Sequence, residues 1–225
     1  ALSKKFSGEK MEILRRAVNE KNLQFWYRHR PINPFYIYGG RAAPFGTVSF
    51  PPEMERLEGM VANRERKLWD FAQGRTNDIT VDDSNLKPLP VTASTMKEEP
   101  KINTPEEERN TFTVLDGFEV SLFASEVEFP DLKKPVQLAF DAKGRMWVTT
   151  IPTYPHLVPG QQPQDKVLIL TDRDGDGKAD SSTVFADNLY IPIGIELGYG
   201  GAYISAEPDL LFLKDTNGDD KADVT

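Results

Sequence analysis

The segment Asp172-Arg-Asp-Gly-Asp-Gly-Lys-Ala-Asp180 carries the densest run of chemically capable side chains in this sequence. Asp172, Asp174, Asp176 and Asp180 bring carboxylate oxygens to one side of a tight loop, and Gly177 admits the φ > 0 turn that such a loop needs. A hard divalent cation such as calcium, which takes six to eight oxygen ligands, suits that spacing. A second copy follows at Asp215, Asn217, Asp219 and Asp223, with a neutral amide at one ligand position and Asp220 in the place of Gly177, so weaker binding is expected there. The alternative for both segments is a calcium-free hairpin turn, because Asp and Gly favour turns for their own conformational reasons. Neither copy is an EF-hand: Thr183 stands where the bidentate glutamate of that loop belongs, and the flanking residues have strand character.

The other candidates are sparser. His156 lies in the proline-rich stretch Ile151-Pro-Thr-Tyr-Pro-His-Leu-Val-Pro-Gly160, where general-base work is one reading and a polar surface group the other. His29, in Phe25-Trp-Tyr-Arg-His-Arg30, belongs to an aromatic and basic cluster suited either to a sugar or phosphate or to packing at a helix end. No nucleophile elbow, catalytic triad or glycine-rich phosphate loop is present. The absence of cysteine excludes disulfides, iron–sulfur clusters, thiolate zinc sites and covalent c-type haem within this chain. A net charge of -8 argues against nucleic acid and anionic membrane as partners, since phosphate recognition needs a basic face. No apolar run has the length of a membrane span, and an export signal, if there is one, is expected upstream of Ala1.

Three regions must position these residues. Between Glu9 and His29 the apolar residues Met11, Leu14, Ala17, Val18 and Phe25 recur at helical spacing behind Ser7 as N-cap. A second helix is predicted to start at Pro51-Pro-Glu53 and to run through Leu57, Met60, Val61, Leu68 and Phe71 to a stop near Gly74. Residues 76–111, rich in proline and acid and without an apolar period, have the composition of a linker. From 112 to 225 the pattern becomes short β runs: 118–124, 136–140, 145–150, 167–170, 182–185, 193–197, 202–205 and 210–213, with turn residues in nearly every gap.

The β region repeats itself. Val167–Asp180 aligns with Leu210–Asp223 at an offset of 43 residues, the length of one four-stranded propeller blade. Pro135-Val-Gln-Leu-Ala-Phe140 aligns with Pro192-Ile-Gly-Ile-Glu-Leu197 at an offset of 57, which places fourteen additional residues around Ile151–Asp165. The expected fold is therefore α+β: a two-helix segment at 1–75, a linker at 76–111, and at 112–225 the first one to two blades of an incomplete antiparallel β-propeller, whose remaining blades or another protein chain would be its partners.

The two Asp-rich loops, with Gly117-Phe-Glu-Val-Ser-Leu-Phe-Ala-Ser-Glu126 and Pro135-Val-Gln-Leu-Ala-Phe-Asp-Ala-Lys-Gly-Arg-Met-Trp-Val148, resemble the propeller module of PVC-type haem-binding proteins. That module is similar to the glucose/sorbosone dehydrogenase propellers that use pyrroloquinoline quinone, and the loops are similar to those that hold calcium in integrin-type propellers. Residues 1–75, through Lys21-Asn-Leu-Gln-Phe-Trp-Tyr-Arg28 and Lys67-Leu-Trp-Asp-Phe-Ala72, resemble the helical tail that follows an SGNH/GDSL-type hydrolase domain, whose Gly-Asp-Ser and Asp-x-x-His segments are absent here. The resemblance implies a periplasmic or extracellular protein, calcium as a bound ion, pyrroloquinoline quinone for a complete propeller, and electron transfer to a haem domain elsewhere. The alternative is a non-catalytic, calcium-stiffened scaffold or carbohydrate-binding propeller attached to a hydrolase. Whether this chain is itself an enzyme stays open at the level of sequence.

Overall fold

A computed structural model describes residues 7–29, 48–89, 101–154 and 157–225. The chain divides into two compact units, Ala1–Glu99 and Pro100–Thr225.

The first unit is built on two helices, α1 (Gly8–His29) and α2 (Phe50–Ala72). Ser7 caps α1 by accepting from Lys10 N at 3.3 Å. Pro51 and Pro52 open α2, where missing N–H groups cost nothing, and Gly74 closes it at φ 73°, with Gly74 N donating to Phe71 O and Arg75 N to Asp70 O. The buried face of α2 carries Leu57, Met60 and Phe71, whereas α1 has no fully buried residue and is held in good part by charge. Lys21 pairs with Glu65, Arg28 with Glu58, and Arg64 with Glu20, each across the two helices.

Linker composition did not keep the whole of 76–111 off the helices. Asn63 on α2 donates to Asp82 O, Asp83 Oδ1 and Asn85 Oδ1, Arg56 donates to Lys87 O, and the Leu86 side chain lies over Gly59. Polar side chains meeting backbone and Asx groups hold this segment, a mode of anchoring that leaves no apolar period in sequence. A short helix, α3 (Pro105–Arg109), follows, capped by a reciprocal box between Thr104 and Glu107.

The second unit contains a four-stranded antiparallel sheet in the order β1 (Pro135–Phe140), β2 (Met146–Thr150), β3 (Asp165–Thr171), β4 (Ser181–Leu189). It also contains a three-stranded antiparallel sheet, β5 (Pro192–Gly198), β6 (Gly201–Ala206), β7 (Asp209–Lys214). Both are meanders of neighbouring hairpins. The repeat extends to their irregularities: pairing shifts register between Pro135 and Gln137 in one sheet and between Pro192 and Gly194 in the other. A lone bridge from Lys214 to Val224 repeats, 43 residues on, the Thr171–Ser181 pair that opens the β3–β4 hairpin.

The sheets pack face to face through Trp147, Val167, Ile169, Phe185 and Leu189 on one and Ile195, Ala202, Ile204, Ala206 and Leu213 on the other. This burial is the principal drive for the unit, at about 25 cal/mol per Å² of apolar surface removed from water. Trp147 meets Phe185 edge to face, with centroids 4.5 Å apart. The opposite face of the first sheet carries Val148, Leu168 and Leu170, covered by Phe123, Ala124, Phe129 and Leu132. The run 118–124 is therefore not a strand. Its apolar residues cover the sheet side-on, and a backbone bond from Ala179 N to Phe123 O fixes it there.

Candidate metal site

The β3–β4 and β7–Val224 connections position the two Asp-rich loops. In the first, Asp172 accepts from Gly175 N at 2.7 Å and Gly177 N at 2.9 Å, Asp174 from Asp176 N at 3.1 Å, and Asp176 from Lys178 N at 2.8 Å. These are Asx turns, in which each carboxylate folds the backbone around itself. Gly175 and Gly177 lie at φ 77° and 84°, the region where a Cβ is penalised. The consequence is convergence: Asp172, Asp174 and Asp176 each offer a carboxylate oxygen, all within 4.8 Å of one another. Among the described residues this is the one such group of three His, Asp or Glu ligands. The turn engages Oδ1 of Asp174 and of Asp176. An all-oxygen, anionic donor set at that separation fits calcium in its chemistry.

Asp180 is not brought into that group. Its Oδ2 accepts from Arg173 N at 2.5 Å, and its own N–H donates to Thr171 O, so it closes the base of the loop. Asp223 does the same in the second loop, accepting from Thr216 N and from the Thr216 hydroxyl at 2.8 Å. There Asp215 accepts from Gly218 N at 2.7 Å and from Asn217 and Asp220 N, Asn217 Oδ1 from Asp219 N, and Asp219 from Lys221 N. The bond from Gly218, with help from the neighbouring amides, holds the Asp215 carboxyl below the usual aspartate range.

The second loop also has a protein cation of its own. Asp220, at φ 60° where the first loop has Gly177, accepts from Arg145 Nη1 at 2.8 Å. Arg145 additionally donates from Nε to Asp141 Oδ2 at 2.8 Å, and Asp141 accepts from Trp147 Nε1 at 3.1 Å. The β1–β2 turn thus ties the first sheet to the second loop by an ion pair that sequence reading did not identify; Arg145 and Asp220 are 75 positions apart and carry no local signal. Partial burial works against the charge on Asp141, yet its bonds to Trp147 and Arg145 outweigh this and hold its pKa below the ordinary value.

His156 lies outside the described residues. Lys134 Nζ donates to Tyr154 O at 2.6 Å, and Asp165 is the first residue of β3. Asp165 has no exposed surface; it accepts from Thr153 N at 2.7 Å and Ile191 N at 2.8 Å, satisfying its buried charge. His29 meets Phe25 in a tilted ring contact with centroids 4.2 Å apart, within α1.

These features define a class: an α+β protein with paired antiparallel sheets of four and three strands and an acidic turn at the end of each. Residues 104–225 match the family described as "Domain of unknown function (DUF7133)", and the chain belongs to that family. No curated protein and no solved structure matches it.

Proposed function

We propose that residues 112–225 form a calcium-stabilised β-propeller module within an exported multi-domain protein. The observation that carries this reading is the meeting of Asp172, Asp174 and Asp176 oxygens within 4.8 Å in a turn that also recurs one repeat later. Three carboxylates so close repel one another unless a cation sits among them, and the cation would fasten the β3–β4 hairpin. Asp172, Asp174 and Asp176 would hold it; Asp180 would brace the loop. Asp215, Asn217 and Asp219 form the weaker second site, braced by Asp223. Affinity should be that of extracellular modules, on the order of 10⁻⁴ to 10⁻³ M, since no bidentate glutamate is available. That range matches a periplasmic or extracellular location.

The scaffold role, with carbohydrate as its candidate ligand, draws its support from the metal-type site that the described residues contain. The oxidoreductase reading, with pyrroloquinoline quinone on a complete propeller and haem on another domain, draws its support from the resemblance at Gly117–Glu126 and Pro135–Val148. His156 would be its candidate base, and the hydrolase-tail reading of 1–75 belongs with it.

A thermal melt with calcium and with chelator tests the proposal. Calcium should raise the midpoint of the β unit; Asp174→Ala should remove most of that shift and Asp219→Ala less. Equal midpoints with calcium and chelator, or a greater loss from Asp219→Ala, would overturn the assignment.

A further inference from the structure

The internal repeat separates what the fold needs from what it does not. In the second sheet Glu207 and Pro208 alone join β6 to β7, whereas residues 151–164 join β2 to β3. The 43-residue offset places Pro208 opposite Asp165, so the insertion and the fully buried carboxylate that fastens it belong to the first sheet only. Asp165 accepts from Thr153 N in the insertion and from Ile191 N in the link between β4 and β5, which ties those two segments together. Ile191 stands at φ 45°, a region that a β-branched side chain avoids. Lys134 at 49° and Asn188 at 54° lie at the same end of the sheet, so three of the five described non-glycine residues with positive φ gather in one place. Backbone strain persists where the surrounding structure over-determines it, and it collects at binding sites.

At that end lies a polar cavity of about 370 Å³, within the size range of small-molecule pockets. Asp131 and Lys133 from the segment before β1, Gln164 and Lys166 from the insertion and β3, and Asp187 and Asn188 from β4 line it, and the rest of its wall is proline. Two pairs are already set: Lys166 with Asp131, and the Asn188 amide donating to Asp187 Oδ1 at 2.8 Å. Thr150 on β2 is the cross-strand partner of Lys166, so the two side chains share a face of the sheet. It is fully buried, and its hydroxyl is the one buried side-chain polar atom with no hydrogen-bond partner among the described residues. Such a group costs free energy until something supplies its bond.

We propose that this cavity binds a neutral polyhydroxyl ligand of monosaccharide size. Two lysines face two aspartates in its lining, so neither an anion nor a cation meets a net charge of opposite sign. Hydroxyl groups both donate and accept, and they match carboxylates, ammonium groups and the Gln164 and Asn188 amides together. Proline walls are rigid and bring no competing N–H donor. The proposal rests on the scaffold reading for its ligand class, giving that carbohydrate a place, and it draws nothing from calcium.

The test is an amide chemical-shift titration of the 225-residue chain with glucose, galactose, mannose, xylose and myo-inositol in turn. At least one should saturate with a Kd on the order of 10⁻³ M, moving amides of residues 131–134, 164–166 and 187–191. Lys133→Met and Gln164→Ala should each weaken that binding about tenfold, the loss of one hydrogen bond. Thr150→Val separates a ligand contact from a packing role: without sugar it should melt no lower than the parent chain, since it removes an unpaired hydroxyl, and yet it should bind the sugar more weakly. Lys143→Met, in the β1–β2 turn at the other end of the sheet, should leave binding as it is. No saturation by any of the five overturns the proposal and leaves the calcium assignment standing; a failed calcium melt with sugar binding retained does the reverse. Saturation that the three cavity variants leave unchanged also overturns it. So does inorganic phosphate moving the same amides at lower concentration, as an anion site would.

Discussion

Asp220 and Gly177 occupy equivalent places in two similar turns, and the difference between them reaches beyond the turn. Gly177 takes φ 84° freely; Asp220 takes φ 60° at a steric cost that aspartate bears better than most residues, and its carboxylate is paired with Arg145. One acidic loop therefore carries a built-in counter-charge and the other does not, which is the physical reason to expect the larger calcium effect from the first. Asp141, which accepts from Trp147 and from the same arginine, sets a pH dependence. Asp141 is more acidic in the folded state than in an unfolded chain, so its contribution is complete above the ordinary aspartate range, near about 3.9, and disappears as pH falls through its lower folded value. Acid titration of the melting midpoint should show the β unit losing stability below about pH 4, and Asp141→Asn should lower the plateau and make that limb shallower. A limb of unchanged steepness in the variant would refute the role given to Asp141.

At the scale of elements, α2 is the organiser of the first unit. Arg64 is nearly buried; burial opposes its charge, and the bonds from Asp83 at 2.7 Å and Glu20 at 2.7 Å outweigh that opposition and raise its pKa further. Asp83 belongs to the segment that follows the helix, so this ion pair and the Asn63 cluster clamp residues 82–85 onto α2. Removing Asp83 takes one of two carboxylate partners from a largely buried guanidinium, at a cost of about 1–3 kcal/mol. Asp83→Ala should destabilise the helical unit by that amount in chemical denaturation and open residues 78–87 to limited proteolysis, with the β unit unaffected. Rapid cleavage of 78–87 in the unsubstituted chain would show that the clamp does not hold.

For the whole molecule, the division into Ala1–Glu99 and Pro100–Thr225 gives each unit its own buried apolar cluster and its own ion pairs. Two units so built are expected to unfold separately. Calorimetry should resolve two transitions, with calcium moving only the one that belongs to the β unit; a single transition shifted as a whole by calcium would contradict the division. No described helix is long and apolar enough to cross a membrane.

Much of this architecture is legible in the residues taken in order. The apolar period and the prolines at 51 and 52 specify α2 almost to its ends, and the offsets of 43 and 57 residues foretell repeating β segments, although the register shift that both sheets share is seen only in the structure. The Thr104 and Glu107 capping box is equally present in sequence, within an acidic run. Local signals suffice in these cases because helices, turns and hairpins are set by residues within a few positions of one another. Contacts at long separation leave no such period. That Phe123 and Phe129 would cover a sheet face instead of pairing, that Asp165 would be buried between Thr153 and Ile191, and that Arg145 would reach Asp220 depended on packing of segments distant along the chain. So did the arrangement of the acidic turn: spacing offered four aspartates alike, and the folded turn gathers oxygens of Asp172, Asp174 and Asp176 while Asp180 Oδ2 accepts from Arg173 N.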